Sequence, residues 1–148
     1  MSDSFRVRVP VNEPIRDYEP NSDERRSLVE KINELSSRVV EIPIIIDGKE
    51  IKTGNTGKCV KPYNHSHVLG TYHKAGEDEI KLAIESSLDA WNDWSQTSFE
   101  NRAKIFLKMA DLLIGPHRDI INATTMLNMS KNVYQAEIDA ACELIDFW

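Results

Sequence analysis

Four side chains that could bind a metal ion lie in one short stretch of the chain, namely Cys59, His65, His67 and His73. A thiolate together with imidazoles is the chemistry of zinc sites. Structural zinc sites, however, normally use tight ligand pairs such as Cys-x-x-Cys or His-x-x-x-His, and neither pair occurs in this stretch. We therefore predict that these residues belong to loops and strand ends and do not bind a metal.

Cys142 is a candidate nucleophile by residue type alone. It follows Ala140 and Ala141 and lies close to Ile145, on the apolar side of a predicted helix. Burial raises the pKa of a thiol, and no histidine in the neighbouring sequence could activate it. We predict that Cys142 is buried and has no catalytic role.

Four carboxylates share the last predicted helix: Glu137, Asp139, Glu143 and Asp146. Paired carboxylates can perform acid–base chemistry or bind a cationic group of a substrate, but Glu and Asp are ordinary surface residues. The pattern alone favours a solvated acidic face. Glu143 differs from the others because it directly follows Cys142 and lies at the edge of the predicted buried face.

The composition predicts a soluble globular protein. Of the 148 residues 41% are hydrophobic and 28% are charged, with a formal net charge of −6. An acidic chain without clustered Lys and Arg argues against nucleic-acid binding, and no apolar run approaches the ~20 residues that span a membrane. The two cysteines lie far apart in the sequence, so no disulfide framework is indicated and a reducing compartment fits best.

The first segments predicted are an extended arm and a helix. Residues 1–20 contain three prolines and little periodicity, which is typical of an arm lying over a larger body. Asn21 then opens a helix, with Glu24 in the capping-box position, and the helix is predicted to end near Glu41, before Pro43. The apolar stripe of this helix is Leu28, Ile32, Leu35 and Val39.

Short antiparallel strands are predicted next. In the stretch IPIIIDGKEIKTGN, the pair Asp47-Gly48 lies between two strand-like runs and predicts a hairpin with a type I′ turn. Two more strands are predicted over Cys59 to Pro62 and Val68 to His73. Asn64 to Ser66 would form the turn between them.

From Gly76 onward the apolar residues recur with the period of a helix. Ser98 is predicted to cap the second of three helices and Gly115 to end it, and Pro116 would be the first residue of the third. The predicted apolar faces are Ile80, Ala83, Ile84, Leu88, Trp91 and Trp94, then Ala103, Phe106, Leu107, Ala110 and Leu113, then Ile120, Ala123, Thr124 and Leu127.

The last fourteen residues, Gln135 to Trp148, are predicted to form a helix with no stop signal. Neither a C-terminal Gly nor a basic residue in the last turn is present, and the final residue is a large apolar Trp. This pattern predicts that the chain is the front part of a longer protein. The predicted buried face is Ile138, Ala141, Cys142, Ile145 and Trp148.

Several stretches, read together, resemble a known enzyme family. The stretches are Asn12-Glu13-Pro14, IPIIIDGKEIKTG, VKPYNHSHVLGTYHKA, NRAKIFLKMADLLIGPHR and YQAEIDAACELIDFW. They are similar, in order, to the N-terminal part of the glutamate-semialdehyde (Δ1-pyrroline-5-carboxylate) dehydrogenase branch of the aldehyde dehydrogenase superfamily. The resemblance extends from about Asn12 to Trp148.

This resemblance implies a fold and an activity. The fold class expected is α+β, rich in helix with a few antiparallel strands, as the N-terminal portion of an α/β aldehyde dehydrogenase fold whose Rossmann-like sheet is absent from this chain. Residues 21–148 would be an incomplete part of that domain. The activity implied is oxidation of L-glutamate γ-semialdehyde to glutamate with NAD in proline breakdown, by a homo-oligomer in the mitochondrial matrix, with the cytoplasm as the alternative location.

The resemblance also implies that most of the chemistry lies outside this chain. The family's catalytic Cys, its deacylation Glu, its oxyanion-hole Asn and its NAD-binding residues all come after the last helix of this chain, so the chain alone is expected to be inactive. Glu143 matches a Glu that lines the aldehyde pocket, where a carboxylate would bind the ammonium group of the substrate. The alternative is a non-catalytic helical interaction module that exposes apolar faces around Trp91 and Trp148.

Overall fold

The described part of the chain consists of helices, a small sheet and a separate hairpin. The computed structural model describes residues 9–148. The helices are α1 (Asp23–Ser36), α2 (Glu77–Gln96), α3 (Phe99–Ile114), α4 (Arg118–Met129), α5 (Val133–Ala136) and α6 (Glu143–Phe147), with a π-helical turn (Glu137–Cys142) between α5 and α6. The strands are β1 (Val40–Ile42), β2 (Ile44–Ile46), β3 (Lys49–Ile51), β4 (Thr56–Lys61) and β5 (Asn64–His73). The helix-rich α+β class predicted from the sequence is confirmed.

Helix α1 begins and ends at different residues from those predicted. Its N-cap is Ser22, whose hydroxyl accepts a hydrogen bond from the Arg25 amide at 3.2 Å. Asn21 instead lies in the preceding turn with a positive φ of 69°. The helix ends at Ser36 because the chain must extend to form β1, so Val39 is exposed and does not join the buried stripe.

The predicted hairpin is confirmed. Strands β2 and β3 pair antiparallel, with Ile44 opposite Ile51 and Ile46 opposite Lys49. Asp47 and Gly48 have φ values of 52° and 68°. Positive φ at both central residues is what a type I′ turn requires, so the Asp-Gly pair determines this turn locally.

The three-stranded sheet has the order β1-β5-β4. Strand β4 is antiparallel to β5, as expected, but β1 runs parallel to β5, which the prediction of antiparallel strands missed. Gly70 permits this parallel pairing, because a Cβ atom there would lie 2.8 Å from the carbonyl oxygen of Val40. The turn between β4 and β5 is Pro62–Tyr63, whereas Asn64 to Ser66 are already part of β5.

Helix α2 begins where predicted, and helix α3 begins and ends where predicted. Gly76 precedes α2 and its amide donates to the Glu79 carboxylate at 2.7 Å, while Ser98 caps α3 by accepting from the Asn101 amide at 3.3 Å. The apolar stripe of α2 forms, but no residue of α2 is buried within residues 9–148, and Trp91 is 64% exposed. The other large exposed side chains of this stripe are Ile80, Ile84, Leu88 and Trp94.

Helix α4 begins later than predicted, and only part of its predicted inward face is buried. It begins at Arg118, so Pro116 lies in the turn before it and is not its first residue. Of the four residues expected to face inward, Ala123 and Leu127 are buried, which confirms half of the prediction, whereas Ile120 and Thr124 are exposed. The buried positions of α4 are Arg118, Asn122, Ala123, Thr125 and Leu127. The buried face extends to Arg118 and Asn122 because both side chains donate hydrogen bonds to Glu137 on the π-helical turn.

Two small apolar clusters form the core of the described residues. One comprises Tyr18, Leu28 and Ala123, and the other comprises Ala110, Leu113 and Ile145, with Trp148 packed against it. The predicted buried face of the last helix is confirmed at Ala141, Cys142 and Ile145. None of the described helices combines the length and apolarity needed to cross a bilayer.

Candidate functional site

A buried ion pair joins α4 to the π-helical turn. Arg118 is 1% exposed and Glu137 is 0% exposed. The guanidinium binds both carboxylate oxygens, through Nη2 to Oε1 and through Nε to Oε2 at 3.3 Å. Two-point Arg–carboxylate pairs are among the strongest and most directional side-chain interactions. The pair therefore fixes the orientation of the turn relative to α4.

Further donors satisfy the Glu137 carboxylate. Oε2 accepts from the Tyr18 hydroxyl at 2.8 Å and from Asn122 Nδ2 at 2.7 Å, and Oε1 accepts from the Arg16 amide at 2.9 Å. Asn122 Nδ2 also donates to the Tyr18 hydroxyl oxygen at 3.0 Å. A buried charge is tolerated when such hydrogen bonds replace its hydration.

The N-terminal arm, in its described part 9–20, lies over this ion pair. Arg118 Nη1 pairs with the Glu13 carboxylate, and Nη2 donates to the Pro14 carbonyl oxygen at 2.8 Å. The Glu13 amide donates to Asp146 Oδ1 at 2.7 Å, which ties the arm to α6 as well. The rest of the predicted arm, residues 1–8, lies outside the described residues. We call Glu13, Tyr18, Arg118, Asn122 and Glu137 the Arg118 cluster.

The electrostatics of the Arg118 cluster keep the ion pair charged. Burial alone would raise the pKa of the Glu137 carboxyl, but the hydrogen bonds from Arg118, the Arg16 amide, Tyr18 and Asn122 outweigh it and lower that pKa. Burial and the adjacent Glu137 carboxylate raise the pKa of the Tyr18 hydroxyl, which therefore stays a donor. The cluster is thus a structural salt bridge at neutral pH, with no group poised to exchange protons.

The prediction of a solvated acidic face is wrong for Glu137. Glu137 precedes Ala141 by four residues and Ile145 by eight, so it belongs to the buried stripe. A charged residue on an apolar stripe needs an opposite charge, and Arg118 holds the matching buried position on α4. The spacing of Glu137 from Ala141 and Ile145 was the signal available in the sequence, whereas the burial of Arg118 was shown only by the structure. Asp139 does lie at the surface, where it pairs with Lys131.

The predicted burial of Cys142 is confirmed, although its neighbours are polar. Its sulfur lies 3.3 Å from Arg118 Nη2, and 3.8 Å from both the Pro14 carbonyl oxygen and Glu137 Oε1. Burial, together with the nearby Glu137 carboxylate, raises the pKa of the Cys142 thiol to about 11. A thiol in this state is a poor nucleophile at neutral pH.

Glu143 is the one residue predicted to contact substrate, and it lies at the first position of α6. Its side chain is exposed, and within residues 9–148 no group lies in hydrogen-bond contact with its carboxylate. Its backbone amide donates to the carbonyl oxygen of Ile138, five residues earlier. The residue directly follows buried Cys142, so its backbone is fixed while its carboxylate remains available.

The histidines and Cys59 lie on the sheet and make local contacts. Cys59 is on β4, and the three histidines are on β5. His73 Nδ1 accepts from the Gly54 amide at 3.2 Å, so its Nε2 carries the proton and donates to Glu41 at 3.1 Å. His67 Nε2 lies 3.0 Å from the Ser36 carbonyl oxygen. No group of His, Cys, Asp or Glu side chains in the described residues has the geometry of a metal site.

Comparisons with known proteins show which family this chain resembles in sequence. Residues 50–148 match the sequence profile of the aldehyde dehydrogenase family. The mitochondrial delta-1-pyrroline-5-carboxylate dehydrogenase of Dictyostelium discoideum is 42% identical over 141 residues, which are 95% of this chain and 25% of that protein. The human protein of the same name is 40% identical over 93% of this chain and 24% of its own length.

Solved structures show the same similarity. A crystal structure of the delta-pyrroline-5-carboxylate dehydrogenase from Mycobacterium tuberculosis bound with NAD is 44% identical, with a TM-score of 0.95 over 100% of this chain and 28% of that chain. The Thermus thermophilus enzyme is 30% identical, with a TM-score of 0.89 over 97% of this chain and 27% of its own. The chain thus spans about a quarter of the length of the relatives that it matches.

The first prediction concerns the buried ion pair. Arg118→Ala leaves the Glu137 carboxylate buried without its cation, so the free energy of unfolding should fall by about 3–5 kcal/mol. Lys131→Ala removes the cation of the surface pair with Asp139 and should cost about 0–1 kcal/mol. Urea denaturation of the two variants measures both changes. Equal losses in the two variants would contradict the structural role of Arg118.

The second prediction concerns the Cys142 thiol. Because its pKa is raised to about 11 from 9.0, iodoacetamide at pH 8 should modify Cys59 before Cys142 in the native chain. The raised pKa also means that the Cys142 contribution to stability is complete below pH 9 and is lost as the pH rises toward 11. Peptide mapping by mass spectrometry measures the two rates, with the urea-unfolded chain as control. Faster modification of native Cys142 would show that the thiol is not buried.

Proposed function

This chain belongs to the aldehyde dehydrogenase family, and we propose that it forms part of an enzyme that oxidises L-glutamate γ-semialdehyde to glutamate with NAD. The observation that carries the proposal is the similarity of about 40% over nearly the whole chain to proteins named delta-1-pyrroline-5-carboxylate dehydrogenase. The family resemblance assigns the nucleophile and the other reacting groups to the part of the relatives that this chain does not match.

The one glycine-containing loop that could suggest a phosphate site, Gly54 to Gly57, does not have the form of one. The Gly54 to Gly57 stretch joins strand β3 to strand β4 and does not lead into a helix. A dinucleotide phosphate site instead requires a glycine-rich turn between a strand and a helix N-terminus. We therefore propose no role for this loop in binding the cofactor, and the NAD requirement in the proposal rests on the family.

The proposed contribution of this chain to substrate binding is Glu143. The substrate is an amino acid, and its ammonium group needs an anionic partner in a site from which water is excluded. The Glu143 carboxylate has no partner among the described residues, so it is available for that contact. The remaining walls of the pocket would come from parts of the enzyme that this chain does not match.

The proposal extends to location and assembly. The Dictyostelium and human relatives are named as mitochondrial proteins, which supports the mitochondrial matrix as the site of action. A homo-oligomeric state is proposed on the family resemblance alone. We propose no nucleic-acid or membrane partner, in keeping with the acidic composition of the chain.

The exposed apolar stripe of α2 also suits a second candidate, a non-catalytic interaction module. Ile84, Leu88 and Trp91 are each more than half exposed in the described structure. Such a surface normally lies against another protein surface. In the enzyme proposal, the α2 stripe packs against the rest of the same enzyme. In the module proposal, it packs against a separate partner protein.

A chimeric enzyme tests the proposed function. Residues 1–148 would replace the matching segment of the Mycobacterium tuberculosis enzyme, which has the same fold over this region. We expect NAD reduction with glutamate semialdehyde, measured as NADH absorbance, because the replaced segment supplies the same packing and the same pocket wall. A folded chimera that binds NAD but does not turn over glutamate semialdehyde would reject the enzyme proposal and favour the interaction module.

Glu143→Ala in the same chimera tests the substrate contact. Loss of a charged hydrogen bond worth about 1.5–3 kcal/mol should raise KM for glutamate semialdehyde by roughly 10–100-fold, with KM for NAD unchanged. An aldehyde without an ammonium group, such as propanal, is the matched control and should lose nothing. A similar loss for both aldehydes would contradict the assignment of Glu143 to the ammonium group.

A further inference from the structure

The π-helical turn determines the direction in which Glu143 points. Successive residues of an α-helix are rotated by about 100°, and a π-helical turn places one extra residue in the turn. The Glu143 amide accordingly bonds to Ile138, five residues earlier, and not to Asp139, four residues earlier. An unbroken α-helix would therefore turn Glu143 by about 100° relative to Glu137.

The two ends of this turn both contact Arg118. Glu137 is its first residue and binds the guanidinium through both oxygens, while Cys142 is its last residue and lies 3.3 Å from Nη2. Residues five apart in an α-helix lie about 140° apart around the axis, so both could not face one side chain. The wider turn brings both to the same guanidinium.

Arg118 is itself held in place from the other side. Glu13 accepts a hydrogen bond from Nη1 and the Pro14 carbonyl oxygen accepts one from Nη2, while Tyr18 and Asn122 donate to the Glu137 carboxylate. These contacts connect α4 and the N-terminal arm to the turn. π-Helical turns are rare and are often found at functional sites. The contacts that stabilise this turn therefore point to a role in function.

We infer that Arg118 and Glu137 are positioning residues that aim the Glu143 carboxylate at the ammonium group of an amino-acid aldehyde, by holding the π-helical turn. Neither residue touches the substrate. The inference rests on the proposed function of Glu143. In this arrangement the buried ion pair sets the helical register of Glu143.

Glu137→Gln in the chimeric enzyme is the first test. It keeps the size of the side chain but removes the charge that binds Arg118, so KM for glutamate semialdehyde should rise on the order of tenfold while kcat and KM for NAD stay within about twofold. Asp139→Asn is the matched control, because Asp139 lies on the same turn and pairs with Lys131 at the surface. If the Glu137→Gln enzyme does not fold, Arg118→Lys takes its place, because it keeps the buried positive charge but loses the two-point contact.

A double-mutant cycle separates positioning from general destabilisation. If Glu137 acts through Glu143, then Glu137→Gln should change KM by less than about twofold in a Glu143→Ala background. If it acts by loosening the fold, its fold-change should be the same in both backgrounds, together with a fall in kcat. The second result would overturn the inference.

Crystal structures of the chimera with and without Glu137→Gln show the register directly. We expect the substitution to move the Glu143 amide from the Ile138 carbonyl to the Asp139 carbonyl and to turn the Glu143 side chain. An unchanged π-helical turn would overturn the inference, even if Glu143→Ala confirms the substrate contact. If Glu137→Gln changes the turn but Glu143→Ala has normal kinetics, the ion pair does control the register of Glu143. Only the proposed contact between Glu143 and the substrate ammonium group would then be rejected.

Discussion

The buried pair of Arg118 and Glu137 is the interaction on which the rest of the described structure depends. It joins α4 to the π-helical turn, and the N-terminal arm closes over it through Glu13 and the Pro14 carbonyl. Two buried charges cost a large desolvation free energy, which only a complete set of hydrogen bonds offsets. That requirement explains why residues 9–20, which have no regular secondary structure, follow a defined path across α4 and α6.

The same pair links the core to the candidate site. A π-helical turn is a local irregularity in an α-helix. Here its first residue, Glu137, and its last residue, Cys142, both contact the Arg118 guanidinium. Glu143 is the first residue after the π-helical turn, so under the inferred register control a buried ion pair determines where an exposed carboxylate points. Stability and substrate orientation would then depend on the same hydrogen bonds.

The exposed side of the chain has the opposite character. Helix α2 has a regular apolar stripe, yet none of its residues is buried among residues 9–148, while α4 buries polar residues. A stripe that includes Trp91 and Leu88 is suited to pack against further protein surface. The chain matches about a quarter of its relatives, so the proposed enzyme offers such a surface within one polypeptide.

The sequence alone determined the features that depend on residues close to one another in the chain. These are the Asp47-Gly48 turn, the Ser98 cap and the period of each long helix, which depend only on local backbone and side-chain chemistry. The family, too, was evident from residue order. The parallel pairing of β1, the burial of Arg118 and Asn122 on α4 and the burial of Glu137 were not predicted, because each depends on a partner in another element. The residue type of a carboxylate does not show whether it is buried or exposed. For Glu137, the tertiary position of Arg118 is what makes burial possible.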